Sequence, residues 1–167
     1  MSFSLLPYVQ FGKLTDITKG YLDEQGIRLL MMDFDNTIVP YTTNVPSQEV
    51  VDWLARMGAS DVQLCVVSNS KNQRVQKFCQ EHHLDCITHA RKPFSDGIRR
   101  CLEKYNIPKE ECALVGDQIF TDTLGANCAG VKSILVEAIH NHNIWLKLRH
   151  VAELPFIYLG RNRRRKP

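Results

Sequence analysis

The sequence predicts an α/β fold, a three-layer α/β/α sandwich around a five-stranded, mainly parallel, Rossmann-like sheet. Short apolar runs alternate with segments of helical periodicity, which indicates right-handed βαβ units. The apolar runs lack polar alternation, as is typical of parallel strands buried on both faces. At 167 residues the chain has room for one core, so residues 1–160 are predicted to form a single domain and 161–167 a basic tail.

The predicted strands are short runs rich in Val, Leu, Ile and Cys, each bounded by turn-forming or charged residues. The segment before the first strand is mixed, with a candidate helix at 15–24. The five strands are predicted at 27–32, 62–67, 85–89, 112–115 and 132–136.

Helices are predicted between successive strands. After the first strand, Ser47 is a suitable N-cap, Val50, Leu54 and Met57 form an apolar stripe, and Gly58 ends the helix.

Further helices are predicted along the rest of the chain. A polar helix is expected at 72–82, and the next begins at Ser95 or Asp96 as its cap. An amphipathic segment at 144–154 is expected to close the domain.

Composition places the chain among ordinary globular proteins, with 44% hydrophobic and 23% charged residues. No apolar run approaches the roughly 18 residues of a membrane span, and no secretory signal is apparent. Six cysteines are scattered without a Cys-x-x-Cys pair, which favours core thiols over a zinc site or disulfides. These features predict a cytoplasmic protein.

Positive charge is concentrated at the C-terminus, although the net charge of the chain is only +3. This run has two interpretations: a solvated tail, or an electrostatic contact with nucleic acid or an anionic membrane surface. The rest of the chain is close to neutral, which argues against a dedicated nucleic-acid-binding fold. The tail contains Arg161, Arg163, Arg164, Arg165 and Lys166.

Polar motifs follow the predicted strands in an order that points to one site. Ligand sites of parallel sheets form beyond the carboxyl ends of the strands, at the topological switch point. Paired carboxylates, a hydroxyl, a lysine and a further acidic pair together favour phosphoryl transfer through an aspartyl intermediate. The candidate residues are Asp33, Asp35 and Thr37, then Ser68 and Asn69, then Lys92, and finally Asp117 and Asp122.

The carboxylates of this set have distinct predicted roles. Asp33, at the end of a rigid strand, is the candidate nucleophile, and Asp35 is the candidate acid and base. Asp117, after a neighbouring strand, can complete an oxygen-ligand site for Mg²⁺ with Asp33. Asp122 is expected to orient Lys92 or a metal-bound water. Gly116 is expected to allow a tight turn.

The other polar residues suit an anionic phosphoryl group, whose charge is spread over its equatorial oxygens. Ser68, Asn69 and Lys92 are predicted phosphate ligands. Thr37 can donate to the phosphate or to the first loop.

These motifs resemble those of the haloacid dehalogenase-like (HAD) superfamily, and over 27–136 they are most similar to class IIIA phosphatases of the YqeG type. The resemblance implies that Asp33 is the nucleophile and Asp35 the acid/base. It also implies that Mg²⁺ is held by Asp33, the carbonyl of Asp35 and Asp117. Ser68 and Lys92 would bind the phosphate.

The resemblance also bears on substrate size, because many HAD enzymes carry a cap domain after the first motif or between the second and third. Neither segment here has room for one. An open site suits a bulky phosphorylated substrate, or a homo-oligomer in which a second subunit covers it. YqeG-type relatives include phosphatidylglycerophosphate phosphatases, and the basic tail is compatible with peripheral contact at the inner membrane face.

Two other classes of protein are alternatives to an enzyme. A phospho-accepting receiver domain needs its phosphorylated Asp on the third strand, where this chain has His89 to Lys92 instead. A non-catalytic scaffold or binding module of the same fold remains the alternative, although every motif position is filled.

Overall fold

A six-stranded parallel sheet forms the centre of the computed structural model, which describes residues 4–43, 45–71, 73–139 and 155. The strand order is β1-β6-β5-β2-β3-β4, and all five neighbouring pairs are parallel. The strands are β1 (Val9–Phe11), β2 (Leu29–Met32), β3 (Gln63–Val67), β4 (Asp85–Ile87), β5 (Cys112–Gly116) and β6 (Lys132–Val136).

All five predicted strands are present, and the sixth, β1, was missed. It has three residues and lies at the edge of the described sheet, where its one strand partner among the described residues is β6. So short a run carries too little periodicity to be recognised, and its pairing depends on a partner more than 120 residues away, as in Val9 opposite Ile134.

The helices largely match the predicted positions. Those of the described residues are α1 (Lys19–Glu24), α2 (Gln48–Gly58), α3 (Gln73–Glu81), α4 (Asp96–Tyr105) and α5 (Leu124–Ala129), with short 3-10 turns at Leu14–Asp16 and Lys109–Glu111 and a π turn at Ile119–Thr123.

Capping explains where the first two helices begin. Thr18 accepts a hydrogen bond from the Tyr21 amide, so α1 begins later than the candidate helix at 15–24. Ser47 caps α2 as predicted, accepting from the Val50 amide.

The sheet separates two apolar layers, which confirms the three-layer sandwich. One face of the sheet packs against α1, α2 and α3 through side chains such as Leu22, Trp53 and Phe78. The other face packs against α4 and α5 through Ile98 and Ala126. The cysteines are all free thiols, and most are buried. The predicted helix at 144–154 and the basic tail lie outside the described residues.

The ends of the central strands create the place for a site. β2 lies between β3 and β5, in a register that sets Met32 opposite both Val66 and Val115. Apart from residues 44 and 72, the chain between the motifs is described, and it forms only α2 and β3, then α3 and β4, with their loops, so no cap domain is inserted there. Among the described residues, no helix has both the length and the apolar character needed to cross a bilayer.

Candidate active site

Asp33 continues the extended course of β2 into the crevice. Its amide donates to the Val115 carbonyl at 2.8 Å, which extends the ladder with β5 by one residue. The carboxylate is therefore anchored to two central strands, and the residue is buried. Such a position gives a nucleophile little freedom to move.

Lys92 lies at the centre of the site, between two carboxylates. Its Nζ is 2.6 Å from Asp33 Oδ1 and 2.6 Å from Asp122 Oδ1, and its side chain is almost fully buried. Burial by itself lowers the pKa of Lys92, but the charges and hydrogen bonds of Asp122 and Asp33 prevail and raise it. The ammonium is thus a fixed positive charge next to the candidate nucleophile.

The Asn69 side chain holds the main chain of Lys92. Its Nδ2 donates to the Lys92 carbonyl at 2.9 Å, and its Oδ1 accepts from the Lys92 amide at 2.7 Å. The sequence predicts that Asn69 is a phosphate ligand. In the structure the amide group is engaged in positioning Lys92, which a motif cannot reveal because the contact spans 23 positions of the chain.

The loop before Lys92 is fixed from several sides. The Ala90 amide donates to the Ser68 carbonyl, and the Arg100 guanidinium donates to the carbonyls of Thr88 and His89, each at 3.0 Å. Gly97 allows close approach, since a Cβ there would lie 2.4 Å from the Ala90 Cβ. Sequence reasoning missed both Arg100 and Gly97, although a glycine in the first turn of a helix is a signal of close packing.

The two predicted hydroxyl groups, of Ser68 and Thr37, are both buried at the ends of the strands. Ser68 Oγ accepts from the Ser70 amide at 3.0 Å. Thr37 Oγ1 is buried without a hydrogen-bond partner among the described residues. Because buried polar atoms are normally satisfied, Thr37 Oγ1 is a candidate ligand contact.

Three carboxylates converge beside Lys92. Oxygen atoms of Asp33, Asp117 and Asp122 lie within 4.8 Å of one another. Asp122 uses one oxygen for Lys92 and the other for the Gln118 amide at 3.1 Å. Asp117 Oδ1 is buried with no hydrogen-bond partner in the described part of the chain.

This arrangement fits a hard divalent cation. Asp33 and Asp117 offer carboxylate oxygens, whereas Asp122 contacts Lys92, which is one of the two partners predicted for it. Mg²⁺ binds with few protein ligands and keeps waters or phosphate oxygens, so two carboxylates and the expected Asp35 carbonyl suffice.

The protonation of the cluster follows from crowding. Burial raises the pKa of Asp33 to about 6, against the lowering effect of the Lys92 charge and with a further increase from Asp122. Burial, followed by the charges of Asp33 and Asp122, raises the pKa of Asp117 well above its ordinary value. An added cation relieves this repulsion and favours the ionised carboxylates.

Asp35 faces a different neighbour, Arg74 at the start of α3, with which it forms an ion pair. The Arg74 guanidinium lies 5.2 Å from the ring centroid of Phe34 and 5.8 Å from that of Tyr41. Sequence analysis did not identify Arg74, because one arginine in a polar helix carries no signal.

Gly116 has a different role from the predicted tight turn. It ends β5 without positive φ. A Cβ there would lie 2.3 Å from Asp122 Cγ, so the missing side chain is what lets Asp122 approach the strand.

Comparisons with known proteins agree with this geometry. Residues 89–141 match the family model for HAD-hydrolase-like proteins. The chain is 32% identical over 120 residues to the probable phosphatase YqeG of Bacillus subtilis, covering 72% of this chain and 70% of the relative.

Solved structures share the fold at lower identity. The haloacid dehalogenase-like hydrolase SP0104 of Streptococcus pneumoniae has a TM-score of 0.56 and 14% identity, with 78% of this chain and 91% of that chain covered. The 3-deoxy-D-manno-octulosonate 8-phosphate phosphatase of Yersinia pestis has a TM-score of 0.53 and 17% identity, with 80% of this chain and 76% of that chain covered.

Fold, motif order and comparisons together define the class: the chain is a hydrolase of the HAD superfamily. Within that class it belongs to the family of YqeG-type proteins. Its site carries the groups that hydrolysis of a phosphate ester requires.

Proposed function

We propose that this protein is a Mg²⁺-dependent phosphatase that hydrolyses a phosphate monoester through an aspartyl phosphate on Asp33. The observation that supports this most directly is the pairing of Asp33 with Lys92 at 2.6 Å, beside the unpartnered buried oxygen of Asp117. A nucleophile after β2, a fixed cation from the loop after β4 and a free metal-ligand oxygen after β5 meet there.

The first half of the reaction is a displacement at phosphorus. An Asp33 carboxylate oxygen forms the new bond, the bond to the ester oxygen breaks, and the Asp35 carboxyl gives its proton to that oxygen. Lys92, with the Ser68 and Thr37 hydroxyls, stabilises charge on the transferring oxygens.

The second half releases phosphate. Asp35, now ionised, takes a proton from a water that attacks the aspartyl phosphate, and Asp33 is regenerated. Asp33, the Asp35 carbonyl and Asp117 would hold Mg²⁺, which when bound offsets repulsion between the nucleophile and the phosphate dianion.

Turnover of p-nitrophenyl phosphate with and without Mg²⁺ tests the proposal. We expect hydrolysis that requires the ion and that is lost in Asp33→Asn, with an unchanged circular dichroism spectrum. Asn cannot act as the nucleophile, although it keeps the size of the side chain. Absence of turnover in the wild-type chain would favour the non-catalytic scaffold.

A second, finer candidate is phosphatidylglycerophosphate phosphatase activity at an anionic membrane. Tyr41, Val45 and Phe94 are large apolar residues that are 62%, 73% and 71% exposed, on loops that follow β2 and Lys92. Exposed apolar side chains on these loops suit an amphiphilic substrate. The basic tail at 161–167 adds roughly 1 kcal/mol per basic group near such a surface.

Vesicles distinguish this candidate from a soluble substrate. We expect release of phosphate from phosphatidylglycerophosphate in anionic vesicles, and weaker vesicle binding by a variant that ends at Leu159. Equal vesicle binding by both chains at low salt would leave the tail as a solvated end. A homo-oligomer that covers the site, and a cytoplasmic location, remain predictions.

A further inference from the structure

The side chain of Arg74 is held in place by several contacts with other described residues at the mouth of the site. It pairs with Asp35, lies near the rings of Phe34 and Tyr41, and donates to the Tyr41 carbonyl at 3.4 Å. Only 17% of the side chain is exposed. A planar guanidinium between two rings has few orientations available.

The loop that carries these partners is itself fixed. Asn36 adopts a left-handed conformation with φ of 60°, and its amide donates to the Val39 carbonyl at 2.7 Å. Its side-chain Oδ1 accepts from the Tyr41 amide at 3.0 Å. The chain therefore turns back after Asp35 and places Tyr41 against Arg74. This loop and α3 together hold the Asp35 carboxylate in a fixed position.

Asp35 has no other anchor of this strength in the described structure. Its carboxylate lies outside the cluster formed by Asp33, Asp117 and Asp122. An aspartate that follows a strand by several residues can adopt several rotamers, and only some of them direct the carboxyl to the ester oxygen. The ion pair from α3 selects among them.

We propose that Arg74 is a positioning residue that holds the Asp35 carboxyl in place for proton transfer to the leaving group. This inference rests on the proposed role of Asp35 as the general acid and base. It assigns α3, which contributes no residue of the predicted motifs, a function in the reaction.

A structural role alone does not explain the contact well. Burial lowers the pKa of Arg74, so the protein has enclosed its charge at a cost. Partly buried ion pairs often add little to the free energy of folding, because desolvation offsets the attraction. The buried residues of this helix are otherwise Val75, Phe78 and Cys79. The position of Arg74 on the helix is better explained by its ion pair with the Asp35 carboxylate.

The choice of leaving group provides the test. General acid catalysis matters most when the leaving oxygen is strongly basic, as in an alkyl phosphate, and least for an aryl phosphate such as p-nitrophenyl phosphate. Because both esters share the later hydrolysis of the aspartyl phosphate, the parameter to compare is kcat/KM, which reports the step in which the leaving group departs. We expect Arg74→Gln to lower kcat/KM for glycerol 2-phosphate by about 10²-fold, with a much smaller loss for p-nitrophenyl phosphate. Arg74→Lys should restore part of the alkyl phosphate activity, since it keeps the charge but not the planar fork.

Lys77→Gln is the matched control, because Lys77 is an exposed cation on the same helix. It should leave both activities unchanged. An equal loss of kcat/KM on both esters in Arg74→Gln would show a defect outside proton transfer to the leaving group and overturn the proposal. An equal rise in KM on both esters with unchanged kcat would overturn it as well, since Arg74 would then bind substrate directly.

A double-mutant cycle in urea unfolding tests the pairing without activity. The effects of Arg74→Gln and Asp35→Asn should be non-additive, because each removes the same ion pair. Additive effects would refute the pairing. A wild-type chain that hydrolyses neither ester would refute the proposed function, and with it any role of Arg74 in proton transfer, whatever the cycle shows.

Discussion

Gly116→Ala is the most exacting perturbation of the site, because it adds one methyl group where Asp122 approaches the end of β5. The new Cβ would lie 2.3 Å from Asp122 Cγ and 2.4 Å from its Oδ2. Ordinary contacts begin near 3.4 Å, so the carboxylate must retreat by about 1 Å. Since Asp122 Oδ1 is 2.6 Å from Lys92 Nζ, a retreat of that size removes the hydrogen bond.

The expected loss in the free energy of unfolding has two contributions. Overpacking a buried site costs about 1–3 kcal/mol, and loss of a hydrogen bond between charged groups about 1.5–3 kcal/mol. Because relaxation recovers part of this, we expect a loss of about 2–4 kcal/mol in the free energy of unfolding. Displacement of Lys92 by a similar distance should lower kcat about 10²-fold.

Urea unfolding and p-nitrophenyl phosphate hydrolysis measure both effects. Gly58→Ala is the control, because a Cβ at this exposed position at the end of α2 meets no atom within 4 Å. It should be neutral or stabilise by up to about 1 kcal/mol. If Gly116→Ala matched Gly58→Ala in stability and activity, Asp122 would not support Lys92 as described.

Two further predictions concern Lys92 and the metal site. Asn69→Ala should lower kcat and destabilise the fold by about 1–3 kcal/mol, because the Lys92 amide and carbonyl lose their hydrogen-bond partners. If steady-state kinetics showed a rise in KM alone, Asn69 would instead be a phosphate ligand. Mg²⁺ must displace protons from Asp33 and Asp117, because the pKa values of both carboxyl groups are raised. Calorimetry should therefore show that the affinity for Mg²⁺ increases as the pH rises toward and through about 6. The increase should be up to about tenfold per pH unit for each proton displaced. The stability of the metal-free fold changes in the opposite direction with pH. The raised pKa of Asp33 contributes stability that is fully present below pH 3.8, the ordinary pKa of an aspartate, and is lost as the pH rises through about 6.

The sequence was sufficient for features that depend on short-range pattern. Buried parallel strands are near-continuous apolar runs, and the residue after such a run lies at the edge of the sheet, so Asp33, Ser68 and Asp117 could be placed in one crevice without coordinates. Of the two partners predicted for Asp122, Lys92 lies in contact with it at 2.6 Å.

What could not be predicted depends on contacts between distant segments. The bonds of Asn69 to Lys92, the ion pair of Arg74 with Asp35 and the approach of Asp122 to Gly116 each need the folded backbone to bring the partners together. Residue type alone is ambiguous at these positions, because the same amide, guanidinium or missing side chain serves equally well on a surface, at a cap or in a turn.

The most direct test of the nucleophile is to find the phosphoryl group on the protein. Asp35→Asn should slow the water attack, so the variant mixed with substrate and Mg²⁺ and quenched in acid should carry one acid-stable, base-labile phosphate. Tandem mass spectrometry is predicted to place this phosphate on Asp33. A phosphate on another residue, or rapid turnover that survives Asp33→Asn, would contradict the account.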